Sequence, residues 1–138
     1  MKRSLLFAAL AAALVLPLGA AAHDTASLTI RHQMHGCHAW SYNGGAFKAS
    51  QSVTLHRGAT LLVTDNDIMP HKLVQVAGPT LRLPASASMH KLGATTQVVF
   101  AKAGVYKFTT KAGEDYKAFA SMKTIGEDNV LRLTVRVT

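Results

Sequence analysis

Residues 131–137 alternate without a break: Leu131, Leu133, Val135 and Val137 fall on one side, Arg132, Thr134 and Arg136 on the other. A repeat of two marks a strand with one face in a core and one in water. Shorter versions of the pattern recur along the chain. Leu28 and Ile30 alternate with Thr29 and Arg31, and Val53 and Leu55 with Thr54 and His56. Arg57-Gly58 reads as a turn before a strand over 60–64, and 71–76 reads as another apolar-polar strand. Residues 98–101 and 105–110, around Lys102-Ala103-Gly104, read as a hairpin-like pair. Asp65-Asn66-Asp67 is a cluster of turn formers. The mixed stretch 81–92 holds a short helix or an irregular loop, and 111–128 is a long polar connection anchored by Phe119 and Met122. Seven or eight short, closely spaced strands predict an all-β fold, an antiparallel Greek-key β-sandwich or barrel.

The chain opens with Met1-Lys2-Arg3, then an almost wholly apolar run to Leu18 and the small residues Gly19-Ala20-Ala21-Ala22. That three-part order is the pattern of a secretory signal peptide. Residues 1–22 are therefore expected to be removed, placing the mature domain, 23–138, in the periplasm or outside the cell. The apolar run is too short for a membrane span. One core suffices for a domain of this length. Loss of Lys2 and Arg3 lowers the formal charge from +8 to +6. The remaining cations are scattered singly, with neither a basic run nor interleaved aromatics, which argues against nucleic acid and for a solvated surface or a face for an acidic partner.

Cys37 is the only cysteine. In an oxidising compartment cysteines usually pair, so a single one implies an interchain bridge, an inert core thiol or a group in chemical use. It lies in His35-Gly36-Cys37-His38, with His32 five positions upstream. A thiolate among imidazoles is the donor set that copper and zinc prefer. The flanking glycine and histidines suggest that Cys37 lies in a loop. His32 sits at a strand end as a second candidate ligand or a structural histidine. Met34 and Met69 are candidate weak ligands or hydrophobic lids, and Trp40 is a candidate shield over the metal loop. His23, at the new N-terminus, offers an amine and a ring together. His56 and His90 lie in polar alternation and are expected on the surface.

Over roughly residues 28–137 the order of features resembles the cupredoxins, small copper-binding β-sandwiches. The most specific stretch runs from Gly58 through Asp65-Asn66-Asp67-Ile68-Met69-Pro70 to His71-Lys72-Leu73. Pro-His entering an aliphatic strand after an Asn-containing turn is where the family carries its first copper-ligating histidine, so the resemblance assigns that role to His71. A second stretch, Ala103-Gly-Val-Tyr-Lys-Phe-Thr-Thr110, is similar to the strand that delivers the family's copper cysteine, but this chain has Thr110 there. The loop after it contains no histidine and offers only Met122 and Glu114. The resemblance implies that the loop 33–47 lies at the metal end of the sandwich, where His35, Cys37 and His38 can replace the missing groups. The expected metal set is thus His35, Cys37, His38, His71 and Glu114, with His32, Met34, Met69, Met122 and His23 as secondary candidates.

The resemblance implies one copper ion, as Cu(I) or Cu(II); the donor types alone also admit zinc. It implies copper tolerance or delivery, or one-electron transfer, by a monomer that meets a copper donor, a copper acceptor or a redox partner. An open-site metalloenzyme lacks support, because no acid-base pair stands apart from Glu114 and Asp115. A metal-free structural sandwich leaves the cysteine-histidine cluster without a role.

Overall fold

The computed structural model describes residues 24–34, 37–117 and 129–138. The expected signal peptide, His23, His35, Phe119 and Met122 lie outside the described residues, as does the side chain of Glu114. The described residues form nine strands: β1 (Thr25–Gln33), β2 (Cys37–Tyr42), β3 (Ser50–Leu55), β4 (Thr60–Asn66), β5 (His71–Ala77), β6 (Ser88–Met89), β7 (Ala94–Val99), β8 (Gly104–Lys111) and β9 (Arg132–Val137). They build two sheets, ordered β2-β1-β4-β7 and β3-β9-β8-β5-β6.

The alternation places the core between these sheets. Leu28 and Ile30, Leu61 and Val63, and Leu133, Val135 and Val137 are buried as their period of two requires. Trp40, Phe100, Tyr106 and Phe108 fill the centre. Phe100 meets Tyr106 and Phe108 edge-to-face, with ring centroids 5.0 Å and 6.2 Å apart. Trp40 is thus a core residue, two positions after His38 on β2.

Three expectations are corrected. The sheets are mixed rather than wholly antiparallel, because β1 pairs parallel with β4 and β3 parallel with β9. Residues 98–101 and 105–110 do not form a hairpin: β7 pairs with β4, whereas β8 pairs with β5 and β9. Phe100, buried at the end of β7, draws the connection across the core from one sheet to the other. Cys37 and His38 lie on a strand, β2, not in a loop. Its residues are almost all buried on both faces, which erases the polar-apolar alternation that reveals a half-exposed strand. The stretch 81–92 holds a 3-10 turn at Ala85–Ala87 and β6.

Candidate metal centre

Several strands end their inward-facing row with a polar residue at the same end of the sandwich. On β1 the row Leu28, Ile30 runs on to His32; on β4, Leu61 and Val63 run on to Asp65; on β8, Tyr106 and Phe108 run on to Thr110; β5 starts its row with His71 before Leu73. The cross-strand register sets His32 against His38, and Ile30 against both Trp40 and Asp65. Successive residues of a strand point to opposite faces. Cys37 departs from that rule at the start of β2, where its φ of +60° is left-handed and unusual for a residue with a side chain. The donor atoms of Cys37, His38 and His32 all lie within 4.8 Å of one another.

The turn between β4 and β5 supplies the centre of the site. Asp65 Oδ1 accepts the Asp67 backbone N–H at 3.0 Å, and Asp67 Oδ1 accepts the Met69 N–H at 3.0 Å. Two overlapping Asx turns thereby aim the Asp67 carboxylate inward. Asp67 Oδ2 accepts hydrogen bonds from His38 Nδ1–H at 2.8 Å and His71 Nε2–H at 3.2 Å. His32 Nδ1 stands 3.7 Å from Asp67 Oδ1. With Nε2 donating, His71 Nδ1 accepts from the Thr110 hydroxyl at 3.1 Å. The His38 and His71 rings meet edge-on with centroids 4.7 Å apart. Asp67, His38 and His71 are at most 1% exposed, whereas the His32 side chain is 46% exposed.

Burial would raise the Asp67 carboxyl, but hydrogen bonds from His38, His71 and the Met69 amide outweigh it and hold the group well below the ordinary carboxylate range. Asp65 behaves in the opposite way. Burial, opposed chiefly by the Asp67 amide and also by the nearby His71, leaves it raised to about 6. Among the described residues, Asp65 Oδ2 is buried without a hydrogen-bond partner. The site therefore holds a buried carboxylate, Asp67, ringed by imidazoles, beside a second carboxyl, Asp65, that takes up a proton far more readily. A buried anion with several nitrogen donors around it is a setting that favours a cation.

The structure brings together Cys37, His38 and His71 of the expected set through His38, adds His32, and introduces Asp67, which in Asp65-Asn66-Asp67 carries only the sequence signature of a turn former. Its position four residues before His71, in a row of two aspartates just before Met69-Pro70-His71, is the signal that was available. Met69 is buried and packs against Gly113, where an added Cβ would lie 3.0 Å from its side chain. Met34 is 93% exposed, its side chain in solvent rather than over the donors. His56 and His90 are exposed as expected. Within the described residues the donor atoms form two groups of three, His32–Cys37–His38 and His38–Asp67–His71, with His38 common to both.

The two mixed sheets form a β-sandwich, with His71 at the start of β5 hydrogen-bonded to Thr110 of β8. No protein-family model matches the chain, and no curated protein matches it. Solved structures do. A purple cupredoxin from Nitrosopumilus maritimus is 21% identical with a TM-score of 0.45, the match covering 79% of this chain and 97% of that one. A multicopper oxidase from Campylobacter jejuni is 14% identical with a TM-score of 0.46, covering 83% of this chain and 25% of the oxidase. An inclusion body protein from Burkholderia cenocepacia is 7% identical with a TM-score of 0.44, covering 85% and 97%. These are similarities of strand layout, and the chain spans about a quarter of the oxidase's length.

Proposed function

We propose that this is an exported copper-binding protein that buffers or delivers copper through a site built from Cys37, His38, Asp67 and His71. The observation that carries the reading is the convergence of a thiol, buried imidazoles and a buried ionised carboxylate at one end of a cupredoxin-like sandwich. The donor chemistry fits: thiolate and imidazole suit copper in both oxidation states, and imidazole with carboxylate suits Cu(II) or zinc. Cys37 would supply the thiolate, His38 and His71 the imidazoles, and Asp67 the charge that balances the cation. Bound copper would provide a redox-active, soft Lewis acid. The half-exposed His32 gives the donor cluster a wet side through which an ion can be exchanged with a donor or acceptor protein, which favours handling over permanent retention. Export depends on cleavage of residues 1–22 and is part of the proposal.

One-electron transfer is the second reading, favoured by the rigid setting of His71 between Asp67 and Thr110, which limits rearrangement on redox change. The deciding experiment is titration of the mature protein with Cu(II) and Cu(I), followed by metal analysis and voltammetry. An intense visible band that disappears in Cys37→Ser places the thiolate on copper. A reversible couple supports electron transfer, and Cu(I) binding far tighter than Cu(II) supports handling. Absence of binding by either ion overturns both readings.

A further inference from the structure

The five donors do not gather round one point. They divide into an outer group, His32–Cys37–His38, and an inner group, His38–Asp67–His71, each with its donor atoms inside 4.8 Å. Donors on one ion stand about 2.0–2.3 Å from it, so two of them lie at most about 4.6 Å apart. Each group comes within a small side-chain adjustment of that limit by itself. The groups also differ in chemistry and in access. The outer one has the thiol and a half-exposed imidazole; the inner one has a carboxylate and is closed to solvent.

The inner group has a feature that a plain hydrogen-bond network does not need. A histidine that ligates a metal through one nitrogen ordinarily gives its other N–H to a nearby acceptor, which fixes the ring. His71 has Asp67 on its Nε2 side and the Thr110 hydroxyl on its Nδ1 side. A hydroxyl both donates and accepts. In the metal-free protein Thr110 O–H donates to Nδ1. With a cation on Nε2 the ring proton sits on Nδ1 and is donated to Thr110 Oγ1 instead, without movement of either residue. The threonine that stands where the family resemblance expects a ligand thus serves the ring in both states, and the ligating face of His71 is turned towards Asp67.

We propose that the chain has two adjacent cation positions bridged by His38, which releases its ring N–H proton to solvent on double loading and, as imidazolate, gives one nitrogen to each: an outer thiolate position, His32–Cys37–His38, for Cu(I), and an inner carboxylate position, His38–Asp67–His71, for a borderline divalent ion such as Cu(II) or Zn(II). This rests on the copper-binding reading and replaces the single ion expected from the sequence. The outer position receives an ion from solvent, and the inner one holds a second ion out of water. Soft thiolate selects the monovalent ion, and two imidazoles with a carboxylate select the divalent one.

The test is mixed loading of the mature protein under anaerobic conditions. One equivalent of Cu(I) is added, then Zn(II), and metals retained after desalting are counted. One copper and one zinc per chain are expected. Cys37→Ser should lose the copper and keep the zinc, and Asp67→Asn should do the reverse. If zinc displaces copper, or total metal stays at one per chain, the two-position arrangement is overturned while copper binding stands. If neither ion is retained, the copper-binding reading falls with it. Should Asp67→Asn not fold, the wild-type count and Cys37→Ser still decide, because a single position built on Cys37 would leave that variant with no metal at all.

Discussion

The two sides of the His71 ring differ in what they ask of the fold. On the Nε2 side Asp67 ties two buried histidines and a backbone amide into one cluster, with the half-exposed His32 3.7 Å away. On the Nδ1 side Thr110 makes a single neutral hydrogen bond. The difference teaches where this chain invests its polar chemistry. The corner where the resemblance expects the sulfur has become a support, and the turn before β5 has become the centre.

The strongest way to break that contrast is Asp67→Ala. It leaves two buried imidazoles facing each other without their common acceptor, and hydrogen bonds to a charged group are worth about 1.5–3 kcal/mol each, so losing both costs about 3–5 kcal/mol. Denaturant unfolding of the metal-free protein should show a loss of that size; a loss under 1 kcal/mol would mean that Asp67 does not organise the cluster.

Acid titration of stability sharpens the same point. Asp67 has a folded pKa below its unfolded value of about 3.9, so its stabilisation is present above pH 4 and is lost as pH falls below it. Asp65 has a folded pKa raised to about 6, so the folded state holds its proton, and its contribution weakens as pH rises from about 4 to about 6. Asp65→Asn should flatten the stability profile between pH 4 and 6 and leave the loss below pH 4 in place. A profile unchanged by Asp65→Asn would remove the assignment of that titration.

Thr110→Val tests the other side of the ring. It deletes one hydrogen bond and should cost about 1 kcal/mol. Visible absorption of the copper-loaded protein should keep its thiolate band, because Thr110 holds the ring rather than the ion. Loss of the band would return the ion to the Nδ1 side.

The smallest effect is expected at Met34. Its side chain is in solvent, so Met34→Ser should change stability by no more than about 0.5 kcal/mol and leave the absorption unchanged. An altered spectrum would show that the turn between β1 and β2 folds over the donors once an ion is present.

Much of the sandwich was legible in the chain. The period of two in β1, β3, β4 and β9 fixes which side chains enter the core, and those residues are buried as expected. The signature before His71 leads to the end of the sandwich where the donor groups gather. β2 was not legible, because a strand buried on both faces and rich in His, Cys and Ser lacks the alternation that marks its neighbours. Sheet membership of β7 and β8 was hidden for another reason. A short turn between two strands suggests a hairpin, and only the pairing of β7 with β4 and of β8 with β5 and β9 shows that the chain changes sheets.

Asp67 carries the same lesson into the site. By itself the sequence determined the residue types available: one thiol, a cluster of histidines around it, and a histidine entering a strand after proline. It also determined which strand faces turn inward, since that depends on local alternation. Which of those groups meet was decided by tertiary structure. An aspartate in a turn signal is indistinguishable from a solvated one until β4, β5 and β2 pack together, because burial and the convergence of His38 and His71 are contacts between residues 29 and 4 positions apart along the chain.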